Sequence, residues 1–247
     1  MMLLIFFFFL TALVYSSVGF GGGSTYLALL ALFNFPYLLM PQVSLICNLI
    51  VVSGGVYHHI KTKHFSLRPV FPFIITSIPF AYWGGSILIS KRLFLFLLAF
   101  SLAMAGTRLL FIKNPPKEKN LPSWKKTVGI GLPAGALLGF ISGMVGIGGG
   151  IFLVPVLYFL RWGTGHQIAA SASFFILVNS LAGLLGHWSK GLFLHGNEWI
   201  LPLVLAVFIG GQIGSRLSVS KIALYNLQRV TALLILSVSA RIFWMFL

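Results

Sequence analysis

Long apolar runs, separated by short basic or Pro/Gly stretches, make up nearly the whole chain. The runs are continuous, whereas strands of a transmembrane barrel alternate at every second residue, so the pattern predicts helices. Eight long helices are expected near 2–18, 42–60, 69–89, 92–112, 127–144, 167–188, 198–216 and 222–245. Two shorter apolar runs, 24–39 and 151–162, each follow a cluster of glycines. A spanning helix needs roughly 20 mostly apolar residues, so the expected fold is all-α: a polytopic helical membrane protein of about 8–10 membrane segments.

One polar stretch interrupts this pattern: KNPPKEKNLPSWKK at 113–126, with three prolines and five lysines. It divides the chain into a first repeat (1–113), a linker (114–126) and a second repeat (127–247) within a single integral membrane domain. The two halves follow one plan. Gly19-Phe20-Gly21-Gly22-Gly23 recurs as Gly146-Ile147-Gly148-Gly149-Gly150. Gly54, His58 and Lys61 recur at the same spacing as Gly183, His187 and Lys190, and Gly85-Ser86 as Gly214-Ser215. Each repeat then has four long helices and one short helix after a glycine-rich break. If the short helices cross the bilayer, the repeats are pseudo-symmetric and inverted; if they do not, the repeats are parallel. Loop cations leave both arrangements open and slightly favour the inverted one. Either way the linker falls on the cytoplasmic side.

Composition confirms the solvent. Only 8% of the 247 residues are charged and 58% are hydrophobic, with a mean hydropathy of +1.01, against about 25% charged in an ordinary soluble domain. A soluble globular fold is thereby excluded, and lipid is the expected partner. Seventeen Lys and Arg face two acids, Glu118 and Glu198. These cations are scattered between apolar runs rather than clustered on a face, which argues for topology-setting charge and against nucleic acid. The first run has no basic flank or small-residue cleavage site and reads as a first membrane helix, not a removed signal. The single cysteine, Cys47, supports neither a disulfide framework nor a metal cluster.

The candidate chemistry begins at the glycine clusters. Glycine costs about 1 kcal/mol relative to alanine inside a helix, and backbone freed by a break in hydrocarbon must be paired by protein or line a polar cavity. The ends of half-helices present N–H groups and a positive dipole, which together hold an anion without a buried cation. Gly19, Gly21, Gly22 and Gly23 with Ser24, and Gly146, Gly148, Gly149 and Gly150, are therefore candidate substrate-binding residues. Asn48, Ser171, Ser173 and Gln212 are neutral polar residues placed to line the same cavity. Close helix packing is the other use of such residues, and it would also suit a homo-oligomer. His58, His187 and Arg229 are candidates for a proton or anion relay, with helix-end or snorkelling positions as the alternative. Arg108, near the end of its run, reads as a snorkelling residue. With no Asp and no acid inside a span, a carboxylate relay of the kind used by cation pumps is excluded. No nucleophile–base–orienter set is spaced for catalysis, so an enzyme is not expected, nor any cofactor or metal.

At the glycine clusters the chain resembles the sulfite exporter TauE/SafE family, the 4-toluene sulfonate uptake permeases. The residues that carry the likeness are Ser17 to Gly23 and Gly143 to Gly150, with Pro155 following. Ala169 to Ser173, Asn179 to Gly183 and Gly210 to Leu217 support it. Cys47-Asn48 departs from the Thr-Asn or Thr-Ser pair such a pattern leads one to expect. The resemblance implies a bacterial inner-membrane carrier of small sulfur-containing anions, such as sulfite or organosulfonates, built from a duplicated unit.

Overall fold

A computed structural model describes residues 1–18, 21–61, 67–111, 123–160, 162, 165–191, 198–216 and 221–245. These form ten helices: α1 Met2–Val18, α2 Gly23–Leu32, α3 Met40–Lys61, α4 Leu67–Ser86, α5 Lys91–Phe111, α6 Trp124–Val145, α7 Gly150–Phe159, α8 Gly165–Trp188, α9 Ile200–Arg216 and α10 Lys221–Trp244. No strand occurs among the described residues. Both glycine clusters interrupt helix, as their composition predicts. The short helices are shorter than the apolar runs containing them. After α2 the chain turns at Asn34, whose φ of 55° lies in the left-handed region, and Pro36 follows. The last three residues of the expected linker, Trp124–Lys126, instead open α6, and 113–122 lie outside the described residues.

By length and composition, stretches of α3, α6 and α8 (Met40–Tyr57, Trp124–Val145 and Gln167–Trp188) suffice to cross a membrane. Shorter apolar helices accompany them. The outward faces carry large apolar side chains such as Phe6, Ile75, Phe96, Leu137, Phe208 and Leu233, all exposed. A water-soluble monomer rarely exposes a belt of that kind. The architecture is that of a helical membrane protein.

Small residues set which helices touch. Gly131, Gly135, Gly139 and Gly143 recur every fourth residue of α6 and so form one stripe. A β-carbon at these positions would press on Pro72, Phe73, Ser77 and Ala81 of α4, in that order. The two helices therefore run parallel with their backbones in near contact. On α9, Gly210 and Gly214 abut the carbonyls of Phe9 and Leu13 in α1, again in parallel. Helices α3 and α8 cross antiparallel: Leu45 lies by Gly183, while Val52 and Ile176 both flank Gly21. Helices α5 and α10 are likewise antiparallel, with Ser239 donating to Ala99 O at 2.8 Å, Gly106 against Leu236, and Phe96 against Phe243.

Candidate functional site

The second break is made by backbone that only glycine adopts without strain. Gly146 ends α6 at φ 85° and donates to Ser142 O at 2.8 Å. Gly148 and Gly149 follow at φ 83° and 79°. At the first break the described glycines have ordinary dihedrals (Gly22 φ −93°), so there glycine serves close approach instead. A β-carbon on Gly23 would lie 2.5 Å from Ile147 O and 2.5 Å from Asn48 Nδ2. The two breaks are thus in direct contact, against α3.

Two side chains of α3 join them. Ser44 Oγ lies 2.8 Å from Gly146 O and 3.2 Å from Gly23 O, so one hydroxyl proton is shared between carbonyls of both breaks. One turn on, Asn48 Nδ2 donates to Ile147 O at 3.0 Å. Ile176 of α8 packs on Gly21, Gly148 and Gly150 and closes the opposite side. Both Ser44 and Asn48 are fully buried.

Around this junction several buried polar atoms lack partners. Asn48 Oδ1, Ser142 Oγ and Ser180 Oγ make no hydrogen bond. A β-carbon on Gly148 would sit 2.9 Å from Ser180 Oγ, and one on Gly149 3.2 Å from Ser142 Oγ. Leaving such a group unsatisfied costs about 1–3 kcal/mol each. Neither α2 nor α7 has a side-chain N-cap, so their first-turn amides receive no side-chain acceptor. Hydroxyl donors and uncapped helix ends together suit a small anion.

The remaining candidates are distributed less evenly. Ser24 and Ser171 are buried. Ser173 donates to Ala169 O at 2.8 Å within α8, a bond that occupies its hydroxyl proton. Gln212 is a correction to the expected cavity lining: it is exposed on α9. Two residues rotate a helix by about 200°, so it lies opposite the packed Gly210. Arg229 is exposed on α10. Gly19 and the side chain of His58 lie outside the described residues. Ser44 shares a helix face with Asn48, four residues on, as the spacing predicts, whereas Ser142 and Ser180 are not among the expected binding residues, although Ser142 stands four residues before the Gly146 break and Ser180 beside Asn179.

His187 is buried and forms a short polar chain. Its Nε2 lies 2.9 Å from Gly143 O and its Nδ1 3.4 Å from Lys190 Nζ. An ammonium can only donate, so the ring is neutral with its proton on Nε2. Lys190 also donates to Ile87 O at 2.8 Å. These two residues line a recess with Tyr37, Leu38, Pro41 and Met144. Pro41 is the residue that Gly146 abuts, so the recess lies one side chain away from the second break. Burial pushes the Lys190 ammonium down to about 8. Lys61, its repeat-matched equivalent, is exposed. No group of three or more potential metal ligands gathers among the described residues.

Comparison with known proteins agrees with this architecture. The chain is 35% identical over 219 residues to the probable membrane transporter protein y4hK of Sinorhizobium fredii, covering 85% of this chain and 86% of that protein. A probable membrane transporter protein of Methanocaldococcus jannaschii is 27% identical over 194 residues, covering 72% and 69%. One from Xylella fastidiosa is 28% identical over 245 residues, covering 91% and 88%. No solved structure gives a significant match. The sequence model described as "Sulfite exporter TauE/SafE" matches residues 4–242. This all-helical membrane protein, with its two abutting glycine breaks, therefore belongs to the sulfite exporter TauE/SafE family of membrane transporters.

Proposed function

We propose that the chain is a secondary carrier or facilitator for small sulfur-containing oxyanions, such as sulfite or organosulfonates, with the anion held where α2 and α7 begin. The observation that carries this reading is the meeting of both breaks at Ser44 and Asn48, among buried hydroxyls that have no partner. Gly21, Gly22, Gly23, Ser24, Gly148, Gly149 and Gly150 supply the amide ends and first-turn donors. Ser142 and Ser180 add hydroxyls. Neutral donors of this kind bind a divalent or monovalent oxyanion without holding it irreversibly.

The same reading makes residues 1–113 and 127–247 inverted repeats, joined by a cytoplasmic linker in a bacterial inner membrane. In support, the α4–α6 seam has its counterpart in α9–α1. The helices that pair with their own equivalents, α3 with α8 and α5 with α10, run antiparallel. A two-fold axis lying in the membrane plane requires that, and an axis along the membrane normal forbids it.

The test is a thermal-shift panel of sulfite, sulfate, thiosulfate, organosulfonates and carboxylates on purified protein, followed by flux of the best ligand in proteoliposomes. A ligand at a hundred times its dissociation constant stabilises by about 2.7 kcal/mol, a shift the panel resolves. Stabilisation and flux by a carboxylate alone would move the substrate class away from sulfur. No response to any anion would remove the reading.

The recess adds a pH dependence. The Lys190 charge is complete well below pH 8 and is lost as pH rises through about 8. Flux of methanesulfonate, whose own charge is constant in this range, is expected to fall across that interval. Lys190→Met is expected to start low and show no such fall. An unchanged profile in that variant would dissociate the recess from the transport path.

A further inference from the structure

We propose that Arg108 is the counter-charge of the bound oxyanion, so that the site at the breaks contains one resident cation. The inference rests on the carrier reading above and names the group that would set its charge preference. Arg108 stands in the last turn of α5 and looks, in the sequence, like a side chain free to reach the interface. Instead it turns inward. Its Nη1 donates to Ile151 O, in the first turn of α7, at 3.2 Å.

That carbonyl is available for a specific reason. In a helix Ile151 O would accept from the N–H of residue 155, but residue 155 is proline and has none. Arg108 therefore supplies the donor that Pro155 lacks. One N–H of the guanidinium is thus accounted for, and its charge is not. Arg108 Nε is buried without a partner. Of the chain's two acidic side chains, Glu198 lies outside helices α1–α10 and Glu118 lies outside the described residues. Tyr15 and Tyr158 are its electrostatic neighbours, and Tyr15 Oη lies 3.0 Å from Thr25 Oγ1 in the first turn of α2. The guanidinium is thereby placed at the opening turn of α7, within electrostatic range of Tyr15, which touches the opening turn of α2, and the positive ends of short helices raise the local potential. A cation there, with a buried donor unspent and no acid paired with it among the described residues, calls for an oxyanion.

An oxyanion could come from solution or from a lipid phosphate, and a purely structural role at Ile151 is the competing account. The experiment separates all three. Thermal shift by sulfite and by methanesulfonate is measured on the purified full chain in neutral detergent and in nanodiscs with anionic lipid. The proteins are wild type, Arg108→Lys, Arg108→Gln and the double variant Pro155→Ala/Arg108→Gln. The double variant restores an N–H for Ile151 O, so it regains the stability that Arg108→Gln loses. The expected result is that both Gln variants bind the anions at least tenfold more weakly, while Arg108→Lys stays within a few-fold of wild type. Wild-type affinity in the double variant would reduce Arg108 to a structural cap and overturn the proposal, leaving the carrier reading intact. Weakening seen only in anionic nanodiscs would assign the site to lipid phosphate and overturn it equally. If wild type itself responds to neither anion, both readings fall together.

Discussion

Gly146→Ala is expected to leave little folded protein in the membrane. Two costs coincide at this position. A side chain at φ 85° sits in the left-handed region, which costs about 1–2 kcal/mol for an L-residue. Its β-carbon would also fall on the backbone of Pro41, an overlap that costs a further ~1–3 kcal/mol because backbone cannot move aside as a flexible side chain does. The sum, about 2–5 kcal/mol, is a large fraction of the roughly 5–15 kcal/mol that keeps a typical domain folded. Gly129→Ala is the matched control, because a β-carbon there meets nothing within 4 Å and alanine favours helix by about 1 kcal/mol. Fluorescence-detected size exclusion in detergent distinguishes them: loss of the monodisperse peak for the first, an equal or later melting point for the second. A well-behaved Gly146→Ala protein would mean that the second break can be built in another conformation.

Asn48→Asp is expected to abolish anion flux, by a hundredfold or more, while Asn48→Leu reduces it less completely. Both side chains are close to asparagine in size. The aspartate loses the amide donor to Ile147 O and brings a carboxylate against that carbonyl. If ionised, it also places negative charge beside the proposed anion site. Truncating one partner of a buried hydrogen bond costs about 1–3 kcal/mol, so the leucine variant measures the structural share and the difference between the two measures electrostatics. Flux in proteoliposomes at matched protein density is the readout. Equal flux in both variants would remove charge complementarity at Asn48 from the account.

Much of the architecture is legible in the chain because its strongest signals are local. The glycine clusters mark both breaks, and the apolar runs mark the helices to within a few residues. The exceptions have local reasons too: Asn34 and Pro36 end the apolar run of α2 early, and the basic Trp124–Lys126 segment is helical although it reads as linker. The faces of the helices are harder. A helix in lipid is apolar on both sides, so the contrast that orients a soluble helix is missing. Gln212 shows the consequence: its polarity suggested an inward position, whereas the stride of Gly210 and Gly214 marks the packed face and leaves it outside. Arg108 shows a second limit. Pro155 announces an orphaned carbonyl at Ile151, but only the adjacency of α5 and α7 reveals which side chain answers it, and that adjacency is a property of the folded molecule.

The glycine seams also constrain how such a protein can move. Each seam binds a helix of the first half of the chain to one of the second, α4 to α6 and α1 to α9, with backbone against backbone. Shearing residues 1–111 as one block past 124–245 would tear both contacts at once. The mechanical units are then mixed pairs drawn from opposite halves of the sequence, and a hinge between them is to be sought at the crossing of α3 and α8, where the side chains interleave instead of the backbones.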